Sequence, residues 1–305
     1  MRPSTVDALV AVGLDPGEVE QIVRRALAED LGPDWLDVTS VATVPADQTG
    51  TADLVARAAG VVAGLPVAAA VFDAAGSLAP ARELPAAAGT VDWVPSTKDG
   101  AWVARGDALA TVTGPVRALL AAERTALNLL CRISGVATHT RAWADALAGT
   151  GATVLDTRKT TPGLRILEKY AVRAGGGTNK RMGLYDVAMV KDNHKLAAGS
   201  ISRAYALVRA VFPEVPVQVE VTTVAEAVEA VEAGADFLLC DNMPVPLLRE
   251  VVAAVAGRAE LEATGGLRLE VAREYAQTGV DYLSVGALTH SSPILDIALD
   301  LRPAG

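Results

Sequence analysis

At 305 residues, 51% hydrophobic and 21% charged, the chain can build a large core and is not of the disordered class. Its formal charge of −9 disfavours nucleic acid as a partner, and no apolar run approaches the ~20 residues of a membrane span. A prior of about 150 residues per domain predicts two domains.

The first twenty residues lack the basic start, apolar core and small-residue cleavage site of a secretory leader, so none is expected. Cys131 and Cys240 sit in apolar contexts (NLLCRI, FLLCDN) without metal-ligand spacing. Both read as small core residues in a reducing, cytoplasmic setting.

Residues 18–30 read as a helix. The segments TGTADLVARAAGVVAGL and GTVDWVPSTKDGAWVARGDALATVTG then alternate short strands with Gly, Asp and Lys-Asp-Gly turns, which predicts a small antiparallel sheet. Helical periodicity resumes at Pro115, a residue suited to a first turn, and continues past THTRAWADAL. The boundary therefore falls near residues 115–120. An N-terminal domain over 1–117 precedes a second over 118–305, whose last helix is expected to pack back on the first.

From residue 152 onward, short apolar runs ending in polar groups alternate with helical patterns: TVLDTRK, DVAMVKDNH, VQVEVTT, DFLLCDN, LEATGG and DYLSVGA. This is the pattern of repeated β-α units on a buried parallel sheet. In one linking helix Thr223 is the expected N-cap, Glu226 closes a capping box, and Gly234 ends the helix in the left-handed region. Six units are too few for a regular eight-unit barrel. Polar residues close nearly every run, which favours an incomplete barrel over an open doubly wound sheet, where they would gather at one switch point.

The chain is acidic, yet the forty residues from Asp156 to Lys195 carry nine cations (Arg158, Lys159, Arg165, Lys169, Arg173, Lys180, Arg181, Lys191, Lys195) against four acids (Asp156, Glu168, Asp186, Asp192). Cations gathered beside strand-like runs predict a pocket for a small, highly charged anion. Arg158 and Lys159 follow one run and Lys191 ends another; Arg offers a planar fork and Lys a point charge to carboxylate or phosphate. A solvated basic loop is the plainer alternative for Arg158 and Lys159. The AGGGTNK glycines either let backbone approach an anion or form a flexible loop.

Glu220 and Asp241 end two successive runs. They either bridge to nearby cations or hold Mg²⁺ bound to a polyphosphate, which takes one or two carboxylates plus substrate oxygens. Thr264, Gly265 and Gly266, then Gly286 and Ala287, stand where late barrel strands commonly bind phosphate; tight turns are the alternative. Among the histidines, His139 is expected on a helix surface, His194 orients the KDNH loop, and His290 follows the last glycine loop. No hydrolase triad, dinucleotide fingerprint or P-loop is present.

These motifs resemble one family over nearly the whole chain. ALAEDLG, DVTS, AERTALNLL, RISGVAT, DTRKTTPGLR, EKYAV, GGG, KDNH, EATGG and VGALTHS are similar to quinolinate phosphoribosyltransferase. DTRKT.PG followed by KDNH is a highly specific combination. The resemblance implies an α/β fold, an incomplete (β/α) barrel with an N-terminal α/β sandwich. It also implies that quinolinate reacts with 5-phosphoribosyl-1-pyrophosphate (PRPP), giving nicotinate mononucleotide, pyrophosphate and CO₂. No organic cofactor is implied, only Mg²⁺ with the pyrophosphate substrate.

By the same resemblance the protein is a homodimer, or a dimer-based higher oligomer, in which Arg124 is lent to the neighbouring site. Arg158, Lys159, Arg181 and Lys191 would surround the two quinolinate carboxylates, with Thr157 and Lys180 also among the substrate-binding residues. Glu220 and Asp241 would face the ribose and Mg²⁺-pyrophosphate. Thr264, Gly265 and Gly266, with Val285, Gly286, Ala287 and His290, would take the phosphate; Lys159, Lys191, Glu220 and Asp241 are the implied catalytic set. One departure is visible. The family usually has His where this chain has Lys180, which keeps a positive charge but loses imidazole's titration near neutral pH. Rival readings are a nicotinate-specific relative or a ModD-like protein, a Schiff-base aldolase using Lys191, and a non-catalytic anion binder.

Overall fold

The computed structural model describes residues 1–78 and 89–302. The first elements are α1 (Pro3–Ala11), α2 (Pro16–Leu31), α3 (Val38–Thr43), β1 (Thr49–Ala56), β2 (Gly60–Val61) and α4 (Leu65–Gly76). β3 (Asp92–Pro95), β4 (Trp102–Val103), β5 (Ala108–Pro115) and the 32-residue helix α5 (Val116–Leu147) follow. Then come β6 (Thr153–Leu155), α6 (Arg165–Ala174), β7 (Ala188–Val190), α7 (Asp192–Ala198), α8 (Ile201–Val211), β8 (Val217–Val221), α9 (Val224–Glu232) and β9 (Phe237–Asp241). The chain closes with α10 (Val245–Val255), β10 (Glu260–Thr264), α11 (Ala272–Ala276), β11 (Tyr282–Ser284), α12 (Ala287–His290) and β12 (Ile297–Leu301).

These elements form two compact units. One comprises Met1–His139, Thr161–Gly175 and Ser292–Gly305; the other comprises Thr140–Thr160 and Gly176–Ser291. Position 117, the expected domain boundary, lies in the first turn of α5.

In the first unit, α2 shows how sequence becomes structure. Asp15 caps it by accepting the Glu18 N–H at 2.8 Å, and Pro16 opens it. Val19, Val23, Leu27 and Leu31 recur every fourth residue and are all buried, forming one apolar stripe. The sheet runs β12-β1-β5-β3 and is antiparallel, as the alternating patterns predict. The chain's last element departs from expectation. It is the strand β12, not a helix, and it pairs with β1 from Ala52↔Leu301 to Ala56↔Ile297. Ion pairs flank that edge, Arg57 to Asp300 at 2.5 Å and Arg302 to Asp53 at 2.8 Å. In this unit α6 carries a buried polar cluster: Glu168 accepts from Arg132 at 2.8 Å and from the Thr161 N–H at 2.9 Å. Cys131, one of two free buried cysteines, lies on α5.

In the second unit all six strands are parallel, in the order β6-β11-β10-β9-β8-β7. β8 is buried at every residue, as a parallel strand covered on both faces must be. The edge strands β6 and β7 do not pair among the described residues; only a bridge from Leu155 to Thr178 extends the β6 side. This is the incomplete barrel. The cap of α9 forms as expected, with Thr223 accepting the Glu226 N–H at 3.1 Å and Gly234 at φ +97°. Glu226, however, reaches back to the Thr222 N–H at 2.6 Å, not to Thr223, and it also binds Lys195. No described helix is long and apolar enough to cross a membrane.

Candidate active site

Each of the six parallel strands turns polar at its C-terminal end, and those ends line one cavity of about 730 Å³ within the second unit. Successive parallel strands deliver their final residues to the same side of the sheet, so residues scattered over 130 positions can meet there. β6 contributes Thr157, Arg158 and Lys159; the turn before β7 contributes Lys180 and Arg181, and Lys191 follows β7. Glu220 and Asp241 come from β8 and β9. Thr264, Gly265 and Gly266 follow β10, while Val285, Gly286, Ala287 and His290 follow β11. Every site residue expected from the sequence lines this cavity except Arg124, which is exposed on α5 of the first unit.

Local hydrogen bonds fix the cationic side. The Thr157 hydroxyl accepts the Lys159 N–H at 3.0 Å, and the Lys159 carbonyl accepts from Thr289 of α12 at 2.8 Å. That second bond ties the Arg158-Lys159 turn to the Gly286 loop. Arg181 donates to the Val187 carbonyl at 2.9 Å and lies 3.4 Å from the Met189 sulfur. Burial, and then the neighbouring Arg158 guanidinium, hold Arg181 below its ordinary pKa, a sign that two cations are crowded together. Asp186 ties the intervening loop: against the cost of burial, the Gly183 and Met182 N–H groups hold its carboxyl below the usual range. Lys191 reaches Glu220 at 2.7 Å, and its N–H donates to His194 Nδ1 at 3.0 Å, so His194 does close the KDNH turn.

Glycine turns after β10 and β11 line the cavity through their backbone. Gly265 and Gly266 have φ of +95° and +59°, a region glycine enters without strain. Asn242, itself at φ +53°, donates its N–H to the Thr264 carbonyl at 2.9 Å and packs against Gly265. Gly286 precedes the short helix α12.

Sequence reasoning missed several lining residues. Glu262 is the foremost: it is fully buried on β10, lines the cavity and meets Lys180 at 2.5 Å. The signal was a charge two residues before Thr264, hence on the same face, and flanked by the apolar Leu261 and Ala263 inside the strand. Asn242, Ser284, Met189 and Leu239 also line the cavity. Conversely, Gly175, Gly176 and Gly177 do not line it; Gly175 caps α6, and Gly176 follows at φ +93°. His139 is half-buried, not on a helix surface, and bonds Ser292 at 2.8 Å; burial lowers its pKa.

A parallel α/β unit with a strand-end cavity lined by several cations and by glycine turns is the arrangement of an enzyme that works on small polyanions. Models of the quinolinate phosphoribosyl transferase N-terminal and C-terminal domains match residues 37–134 and 136–300. A Mycobacterium leprae nicotinate-nucleotide pyrophosphorylase (carboxylating) is 49% identical over 282 residues, spanning 92% of this chain and 95% of that protein. A probable Bacillus subtilis counterpart is 40% identical, spanning 93% of each. The crystal structure of NadC from Streptococcus pyogenes superposes with a TM-score of 0.88 at 37% identity, covering 96% of this chain and 99% of that one. The chain belongs to the quinolinate phosphoribosyltransferase family.

Proposed function

We propose that this protein transfers the phosphoribosyl group of PRPP to quinolinate with decarboxylation, yielding nicotinate mononucleotide, pyrophosphate and CO₂ for NAD biosynthesis. The observation that carries this reading is that Arg158, Lys159, Arg181 and Lys191 line the same cavity as Glu220 and Asp241. A diacid needs several charged hydrogen bonds, each contributing about 1.5–3 kcal/mol.

In this reading the cations hold the two carboxylates and orient the pyridine nitrogen toward the anomeric carbon. Pyrophosphate leaves from the opposite face. The transition state has oxocarbenium character, and the Glu220 carboxylate stabilises it electrostatically. The ring becomes a pyridinium; as CO₂ departs, the electron pair of the broken bond stays on C2 as an ylide stabilised by the adjacent ring nitrogen, and a proton from solvent then takes that position. The Thr264–Gly266 and Gly286 backbone receives the 5-phosphate.

Mg²⁺ accompanies the pyrophosphate. The donor set fits that role: no described group of three or more His, Cys, Asp or Glu encloses a metal, while Glu220 and Asp241 lie on adjacent strands facing one cavity. Two carboxylates suit a magnesium ion that keeps substrate oxygens as its other ligands. Mg²⁺ supplies charge neutralisation of the leaving group.

We place the protein in the cytoplasm, a reading supported by its two free, buried cysteines. We also assign it a homodimer in which the partner's Arg124 completes the diacid site. Two features support this: Arg124 is exposed, and two large apolar side chains in the segments that carry Arg181 and Lys191 are exposed as well, Leu184 at 74% and Leu196 at 83%. The test is CO₂ release from quinolinate, PRPP and Mg²⁺ by purified protein. Activity with quinolinate, little with nicotinate, and a large loss in Arg158→Ala are expected; the reverse preference overturns the assignment.

A further inference from the structure

Lys180 and Glu262 form an ion pair inside the cavity wall, at 2.5 Å, with side chains only 8% and 0% exposed. A buried carboxylate holds the lysine's backbone at that spot. Asp156, fully buried, accepts the Lys180 N–H at 2.8 Å and the Asn179 amide at 2.7 Å. Glu262 arrives from β10, separated from β7 by β9 and β8 in the sheet. Its second oxygen, Oε2, is buried without a hydrogen-bond partner among the described residues.

Three charged or titratable groups act on this pair. Arg181 is the next residue in Lys180's own segment, Lys191 follows β7, Cys240 lies on β9, and Glu262 itself is on β10. Arg158, at the end of β6, acts on Arg181. Burial drives Lys180 toward its neutral form, Glu262 opposes it, and Arg181 and Lys191 add to the burial; the net direction is downward. The Cys240 thiol stays neutral, pushed up to about 12 by burial and by Glu262. The Glu262 carboxylate, 2.5 Å from the ammonium, is the counter-charge that works against that direction.

We propose that Glu262 is a positioning residue that keeps Lys180 charged and fixed in the diacid pocket, so that quinolinate binding does not titrate across neutral and mildly alkaline pH. This rests on the reading of the cavity as a quinolinate site. Lys180 stays within reach of a bound carboxylate because it lines the cavity alongside Arg181 and Lys191. Removing the Glu262 charge leaves a desolvated ammonium beside two cations. It then loses its proton as pH rises, and the pocket loses one cation.

The experiment is steady-state kinetics of the full-length protein with quinolinate, PRPP and Mg²⁺ between about pH 6 and 9. CO₂ release by the native protein tests the quinolinate reading separately. The native KM for quinolinate is expected to stay flat over that range. Glu262→Gln is expected to raise KM roughly tenfold from the acidic to the alkaline end while kcat moves less. Adding Lys180→Arg to that variant is expected to flatten the profile, because arginine keeps its proton without help. A flat profile in Glu262→Gln, or a slope that persists in the double variant, overturns the proposal. Should Glu262→Gln not fold, Lys180→Met decides: a KM raised roughly tenfold at every pH supports the role, and an unchanged KM ends it.

Discussion

Lys191 and Glu220, at the ends of neighbouring parallel strands, meet at 2.7 Å; the lysine side chain is 48% exposed and the glutamate side chain 10%. A pair so open to water on one side stabilises the fold by about 1 kcal/mol at most. Its geometry matters more for what it aims into the cavity.

Replacing Glu220 by Gln keeps the shape and removes the charge. We expect kcat to fall about a hundredfold or more, while the thermal midpoint moves by no more than about 4 °C. Initial-rate kinetics and calorimetry on one preparation check both. Unchanged kcat would remove Glu220 from transition-state stabilisation.

Gly265→Ala strains the glycine turn after β10. Its φ is +95°, and an added Cβ would stand 2.9 Å from the Asn242 backbone nitrogen. The strain is about 1–3 kcal/mol, and the turn shifts away from the position where its backbone meets phosphate. The expected outcome is a KM for PRPP raised more than the KM for quinolinate. Equal effects on both substrates would argue that this turn does not hold the phosphate.

Acid should loosen the C-terminal strand. The Arg302 hydrogen bond, with help from Thr111, holds the Asp53 carboxyl below its ordinary value of 3.8. A carboxyl whose folded pKa is depressed contributes stability that is fully present above the unfolded value and is lost as pH falls through the folded one. Hydrogen exchange of β12 amides is therefore expected to quicken as pH drops below about 4, beyond the intrinsic pH effect. Asp53→Asn should show faster exchange at neutral pH and lose that acid step. An acid step that survives in Asp53→Asn would assign the loosening to another group.

The strand-end chemistry was legible because each cation or acid closes a short apolar run, and parallel strands deliver such positions to one side. Arg158, Lys159, Lys191, Glu220 and Asp241 were found this way, and all line one cavity. Glu262 was not, because its meaning depends on Lys180, 82 residues away in the chain, and only the sheet order brings them together. The glycines at 175–177 left two readings open in the sequence. Glycine marks a backbone requirement, and here the requirement is ending α6. The strand β12 read poorly because its alternation spans five residues, and its pairing with β1 is set by a partner some 245 positions upstream.

The most direct test of the central claim is a crystal structure with quinolinate bound. The account predicts the pyridine diacid in the strand-end cavity, its carboxylates hydrogen-bonded among Arg158, Lys159, Arg181 and Lys191, with its ring nitrogen facing Glu220 and Asp241. Quinolinate seated elsewhere, or those four side chains turned from it into solvent, would contradict it.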